Sequence, residues 1–271
     1  MSEPPTTRGH LTPGPHATVV RLPAPDDVAH LVRQLWIPEW DLPAGERAEQ
    51  LVLGYPASNV VVEPDGVVLH GPTSRASTRV LTGRGWAVGA LLRPAGVLLF
   101  TERPADLLDG SAPVRASGLH SAVAGAMTGD GPTGRHARSA VLLAGHIRVL
   151  AAEVPPAAAR DGALANRMVD LLEAGTDVRS PADLARQLHV SERSLQRLAA
   201  RFVGMPPQLL LRRRRLQEAA ERMRADPAAD LGALAAELGF ADQSHLTREF
   251  RSVLGATPRG YGRARSGRGG G

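Results

Sequence analysis

Between Ser180 and Tyr261 the apolar positions run through one pattern twice. The first copy sets Leu184, Ala185 and Leu188 on one stripe and breaks at His189-Val190. It resumes with Leu195, Leu198, Ala199 and Phe202, spaced i, i+3, i+4 and i+7 as on one face of a helix. The second copy repeats this with Leu234, Ala235 and Leu238, a break at Gly239, then Leu246, Phe250, Val253 and Leu254. The offset is 50 before the break (Leu184 with Leu234) and 51 after it (Leu195 with Leu246, Gly204 with Gly255, Pro207 with Pro258). One turn is therefore a residue longer than the other. Each copy predicts a short helix, a tight turn and a second helix. Ser180, Pro181 and Asp183 form the start signal of the first, and Ser191 can cap the helix after the turn. Gly239 suits a turn that needs positive φ. Pro206 to Ala225, between the copies, reads as helix throughout, and ~20 residues span roughly 30 Å.

Upstream the period changes. Leu51-Leu53, Asn59-Glu63, Gly66-His70, Ala76-Leu81, Trp86-Leu92 and Val97-Thr101 read as short strands, with Pro64-Asp65-Gly66 as a turn. Asp26 to Trp40 reads as a short helix running into a strand at Gln34-Ile37. Val114-Met127 and Ser139-Glu153 read as a helical pair around a Gly-rich break at Thr128-Gly134. The predicted class is α+β: a small antiparallel β-barrel with a helical pair, then an all-α domain with two helix-turn-helix units joined by a long helix. The predicted division is a Pro/Thr/Gly-rich disordered leader at 1–25 and a β-rich regulatory domain at 26–112. A helical segment at 113–154 either packs on the chain's own sheet or offers a dimerisation surface, and a linker follows at 155–163. A helical domain at 164–262 and a Gly/Arg-rich disordered tail at 263–271 complete the chain.

Charge sharpens the picture. Residues 1–163 hold 14 Arg against 15 acids, whereas 164–271 hold 18 Arg against 12 acids, so the repeat lies in the basic half. All 32 basic residues are Arg, whose planar fork suits phosphate and guanine edges. The solvent faces of the two second helices carry Arg193, Gln196 and Arg197, then Gln243, Ser244 and Arg248. Arg pairs with guanine and Gln with adenine in the major groove, so these six are the base-reading candidates. Arg201, Thr247 and Arg251 are assigned to phosphates. The ~30 Å helix between the units approaches the ~34 Å between successive major grooves on one face of DNA. The run Arg212-Arg215 wraps its helix and cannot share one face. Its members are expected to divide between packing, pairing with Glu218 and the DNA backbone.

These stretches resemble the DNA-binding domain of the AraC/XylS family of bacterial transcription regulators. The resemblance rests on Val190-Arg197, Arg215-Ala219, Gly239-Phe250 and a closing Gly255-x-x-Pro258-x-x-Tyr261. His189 stands where the family has a turn Gly. The N-terminal half is similar to a reduced cupin-like domain of a subgroup of such regulators, through Tyr55-Asn59, Gly71-Pro72 and Leu92-Gly96. The resemblance implies a duplex-DNA partner, RNA polymerase as a further partner, and activation more often than repression.

Enzyme chemistry finds little support. No Cys is present, which removes thiol nucleophiles and Cys-ligated metals. The nine His show no H-x-H or H-x-x-x-H spacing, so no metal and no cofactor are expected. Met1 to Pro15 has no basic region followed by an apolar core, and no apolar run approaches the ~20 residues of a membrane span, so a cytoplasmic protein is expected. Trp36, Tyr55 and Trp86 are either ordinary core or, with His70 and Arg93 as polar partners, the candidate lining of an effector pocket. Two rival readings stand beside a ligand-controlled regulator. One is a ligand-free DNA-binding protein whose N-terminal domain dimerises; the other is a cupin-type enzyme with a DNA-binding appendage.

Overall fold

The structure, a computed structural model, describes residues 17–52, 56–129, 131–174 and 178–261. The N-terminal part is an antiparallel sheet backed by helices. Its strands are β1 (Ala17–Pro23), β2 (Val32–Asp41), β3 (Arg47–Val52), β4 (Asn59–Glu63), β5 (Gly66–His70), β6 (Ser77–Thr82), β7 (Arg84–Trp86), β8 (Val88–Leu92) and β9 (Ser111–Pro113). The main sheet has the order β1-β2-β8-β4-β5-β9, with β7 also on β2, while β3 and β6 pair separately. Strict alternation sorts the side chains. Leu35 and Ile37, Val60 and Val62, Val67 and Leu69, and Val88, Ala90 and Leu92 all enter one core. That core is closed by α2 (Leu119–Met127) and α3 (Pro132–Ala152) through Val123, Leu143 and Ile147.

Four local expectations need correction. Residues 17–23 of the expected leader form the edge strand β1, because Val19, Val20 and Leu22 continue the β pattern and Leu22 packs on the core; residues 1–16 and the tail at 263–271 lie outside the described residues. Asp26 to Leu31 is a run of turns rather than a helix. Val28 and Leu31 reach the core within that turn, so β2 begins at Val32. Val97 to Thr101 is not a strand. Pro94 starts the single-turn α1 (Pro94–Val97), and Leu98, Leu99 and Phe100 follow as a turn shared between two cores. A short apolar run fixes burial without fixing conformation. The expected linker at 155–163 is instead the start of α4 (Pro156–Glu173). Pro156 fits the first helical turn, where its missing N–H costs nothing, and Ala favours helix strongly.

The helical part then follows as α5 (Pro181–Gln187), α6 (Glu192–Phe202), α7 (Pro207–Ala225), α8 (Leu231–Glu237) and α9 (Gln243–Leu254). It has two cores that divide along α7. Leu210 and Leu211 join Leu184, Leu195, Leu198 and Phe202; Leu216, Ala219, Ala220 and Met223 join Leu234, Leu246 and Phe250.

The N-terminal part packs on the first of these units. Asn166 on α4 donates to the His30 carbonyl (2.7 Å) and accepts from the Ala95 N–H (3.0 Å). Arg93 donates to both oxygens of Asp170 (2.8 and 2.6 Å). At two points the backbones come too close for a side chain. A Cβ at Gly162 would lie 2.9 Å from the Ala95 Cβ, and one at Gly204 would lie 2.6 Å from the Pro104 carbonyl carbon. Gly204 also has φ +76°.

His189 holds φ +56° in the first turn, at the position that Gly239 fills at φ +71° in the second. A left-handed conformation costs a non-glycine residue roughly 1–2 kcal/mol, part of which glycine returns through chain entropy. The His189 side chain is exposed, so little packing is lost on removing it. His189→Gly is therefore expected to raise stability by about 0.5–1 kcal/mol in urea unfolding. A loss of stability would mean that the imidazole has a structural role.

Candidate nucleic-acid interface

Each unit builds its second helix from its own capping residues. In the first, the Ser180 hydroxyl accepts from the Asp183 N–H (3.1 Å) and Asp183 accepts from the Ser180 N–H (3.0 Å), a reciprocal capping box. Arg186 also donates to Asp183 (2.6 Å). The Ser180 hydroxyl and then Arg186 hold the Asp183 carboxyl down to about 2. Ser191 caps α6 by accepting from the Ser194 N–H (3.1 Å). In the second unit Asp230 caps α8 by accepting from the Gly232 N–H (2.8 Å), and Asp242 caps α9 by accepting from the His245 N–H (2.6 Å). Val190 and Phe240 donate back to Ala185 and Ala235, closing both turns in the same way.

With Leu195, Leu198, Ala199 and Phe202 buried, α6 leaves Arg193, Gln196, Arg197 and Arg201 exposed. With Leu246, Phe250, Val253 and Leu254 buried, α9 leaves Gln243, Ser244, Arg248 and Arg251 exposed, and Thr247 half-buried. Among the described residues, no ion pair occupies Arg193, Arg197, Arg248 or Arg251, so their guanidinium groups face solvent with their donors available. Arg201 differs: it donates to Asp161 on α4 (3.0 Å).

The run Arg212-Arg215 divides as its helical spacing requires. Arg212 pairs with Glu249 on α9. Arg214 donates to the Val178 carbonyl (3.1 Å) and lies 3.8 Å from Glu218. Arg215 donates to the Arg179 carbonyl (2.7 Å) and borders Gly239, where a Cβ would come 3.3 Å from its Nη1. Arg213 turns inward and donates to the Thr73 carbonyl of the N-terminal part. Sequence reasoning missed that contact. The available signal was that four consecutive residues, 100° apart on a helix, must include one on the buried side.

The candidate effector residues do not form one group. Trp36 and His70 share the sheet face turned away from α2 and α3. There Trp36 donates to Asn59 (3.1 Å), which is the cross-strand partner of His70. The Trp36 ring lies over Gly89, where a Cβ would meet it at 2.2 Å. Burial, and then the charge of Arg79, push the His70 imidazole below its usual range. Trp86 packs on the opposite face, against the main core. Arg93 is committed to Asp170, and Tyr55 lies outside the described residues. Next to Arg93, between the two parts of the molecule, is a narrow cleft of about 20 Å³, room for about one water, bordered by Arg33, Ser58, Val97 and Phe202. Other His side chains serve local roles: His136 binds Glu39 (2.6 Å) and His120 binds the Pro64 carbonyl (2.9 Å). Among the described residues, no helix is long and apolar enough to cross a membrane.

Comparison with known proteins places two families along the chain. Residues 184–264 match a helix-turn-helix domain family, and residues 20–112 match a domain of unknown function (DUF6597). No curated protein sequence matches the chain. Among solved structures it is similar to ToxT from Vibrio cholerae O395, at 12% identity over 93% of this chain and 98% of that one, with a TM-score of 0.40. It is also similar to unsaturated fatty acid-bound ToxT from V. cholerae strain SCE256, at 14% identity over 89% and 92% of the two chains, with a TM-score of 0.38.

Asp183 makes the first unit sensitive to acid. A carboxyl held at about 2 in the fold, against 3.8 unperturbed, adds stability that is present above pH 3.8 and is lost as pH falls toward 2. Asp183→Asn is expected to lower stability near neutral pH and to flatten its dependence on pH between about 4 and 2. Unfolding curves at several pH values read this directly. An unchanged pH profile would remove Asp183 from the account.

Proposed function

We propose that this chain, whose residues 184–264 match a helix-turn-helix domain family, is a cytoplasmic bacterial transcription regulator of AraC type that reads duplex DNA with α6 and α9. The observation that carries the reading is the pair of exposed, Arg-bearing second helices, each capped within its own unit and both mounted on α7. At ~1.5 Å per residue, α7 separates the units by a distance suited to successive major grooves. Arg193, Gln196 and Arg197 on α6 and Gln243, Ser244 and Arg248 on α9 read base edges. Arg201, Thr247 and Arg251 meet phosphates, and Arg201 leaves Asp161 to do so.

The N-terminal part modulates this binding through a small-molecule effector, homodimerisation or both. An effector would lodge beside Arg93, where residues of both halves border a cleft of about 20 Å³, so its binding requires the halves to part. The exposed side of α3, where Val141 is 66% and Val149 is 64% accessible, serves homodimerisation. RNA polymerase is the remaining partner, and activation the expected sign, since regulators with this domain more often activate.

Selection of binding sites from a random duplex pool by the full-length protein tests the reading. The expected product is a site with two short blocks about one helical turn apart. Binding without any motif, abolished by moderate salt, would reduce the basic half to an electrostatic binder. On the selected site, Arg193→Ala or Arg248→Ala should each cost roughly 1–3 kcal/mol and relax preference at one position. Arg251→Ala should weaken all sequences alike and reduce the salt slope by about one. Identical behaviour of the two kinds of variant would overturn the division between base and phosphate contacts.

A further inference from the structure

Arg213 is the largest fully buried side chain among the described residues, at 1% exposure. Its partners are few. Nη1 donates to the Thr73 carbonyl, whereas Nε and Nη2 are buried with no hydrogen-bond partner. The carboxylate whose charge it feels, Asp109, is already occupied by the Ser74 N–H (2.6 Å) and hydroxyl. Asp109 itself sits at φ +57°. Simple packing does not account for a guanidinium here. An apolar side chain of similar length would fill the same space without desolvating a charge. A buried charge with incomplete partners lowers stability while fixing one arrangement of what surrounds it.

The surroundings show what is fixed. Within one turn of α7, Arg212 holds α9 through Glu249, and Arg214 and Arg215 hold the entry to α5 through the Val178 and Arg179 carbonyls. Arg213 holds the N-terminal part through Thr73. The two helical cores share no residue and divide at this same turn, between Leu211 and Leu216. Movement of the N-terminal part against α7 is thus delivered where the two reading units are tied together.

We propose that Arg213 is a positioning residue that couples the N-terminal part to the relative setting of α6 and α9. Its functional consequence rests on the DNA-reading role of those helices. An apolar replacement should therefore uncouple the units without weakening the fold.

Two measurements on the full-length protein test this. The first uses the selected two-block duplex with one base pair inserted between the blocks. The wild-type protein is expected to lose roughly tenfold or more in affinity, within the ~5–150-fold range typical of coupled sites. Arg213→Met should reduce that loss to about threefold or less, with an unchanged or raised Tm, while Arg213→Lys retains it. The second needs no DNA. Hydrogen exchange of Arg213→Met should speed up in α9 as well as around Thr73. Faster exchange confined to Thr73 and Ser74, or a wild-type spacing penalty in Arg213→Met, would overturn the proposal and leave Arg213 as interface packing. If Arg213→Met does not fold, Arg212→Gln cuts the same chain of contacts at its exposed end. A relaxed spacing penalty there supports the coupling, and an unchanged one overturns it. If selection yields no two-block site, the DNA-reading role fails, but hydrogen exchange still decides whether Arg213 couples the units.

Discussion

The organisation of the helical half depends on one helix being shared by two cores. α7 gives Leu210 and Leu211 to the first and Leu216, Ala219, Ala220 and Met223 to the second. Neither unit can bury its apolar stripe alone, since two short helices enclose too little. Each closes its core on half of α7, the first with Ala165, Met168 and Leu172 of α4 as well, and the spacing of α6 and α9 follows from the length of α7. Arg212 and Arg222 add ion pairs from α7 to Glu249 and Glu237. These are partly exposed, so each is worth little by itself. Their effect is orientational, because they restrict rotation of the second unit about α7.

The repeat was legible in the sequence because helix patterning, caps and turn chemistry all pointed the same way. Ser180, Ser191 and Gly239 do in the structure what their residue types suit them for. The sheet strands Asn59–Glu63 and Gly66–His70 were equally plain, through short Val-rich runs on either side of a Pro-Asp turn. Less legible were segments whose conformation is decided by distant partners. Leu98, Leu99 and Phe100 carry a strand-like run, yet they fill the junction of two cores. Ala17–Pro23 reads as leader composition until β2 supplies a neighbour to pair with. The expected linker failed because its Pro-Pro start was taken as a break, where Pro156 in fact opens a helix.

The candidate site shows the same divide. Exposure of Arg193, Gln196, Arg197, Gln243, Ser244 and Arg248 follows from which neighbours are buried, and periodicity gives that directly. Commitment to a partner does not follow from periodicity. Arg201 lies on the exposed face of α6, but Asp161, forty residues earlier, holds its guanidinium. Trp36 and Trp86 are both β aromatics, yet they lie on opposite faces of the sheet. A list of aromatic residues cannot separate them without the register of β2 against β8 and β7.

The two units differ in how they meet the N-terminal part, and this has a physical consequence. The first is joined to it by Asn166, by the Arg93-Asp170 pair and by the close approach at Gly162 and Gly204, which leaves no room for slack. The core of the second unit draws on no residue before Leu216. The first unit is therefore tied to the N-terminal part directly, while the second is tied to it through α7 and its arginines. On the proposed DNA-reading role, a change at the N-terminal part bears on the angle between α6 and α9 rather than on either exposed face.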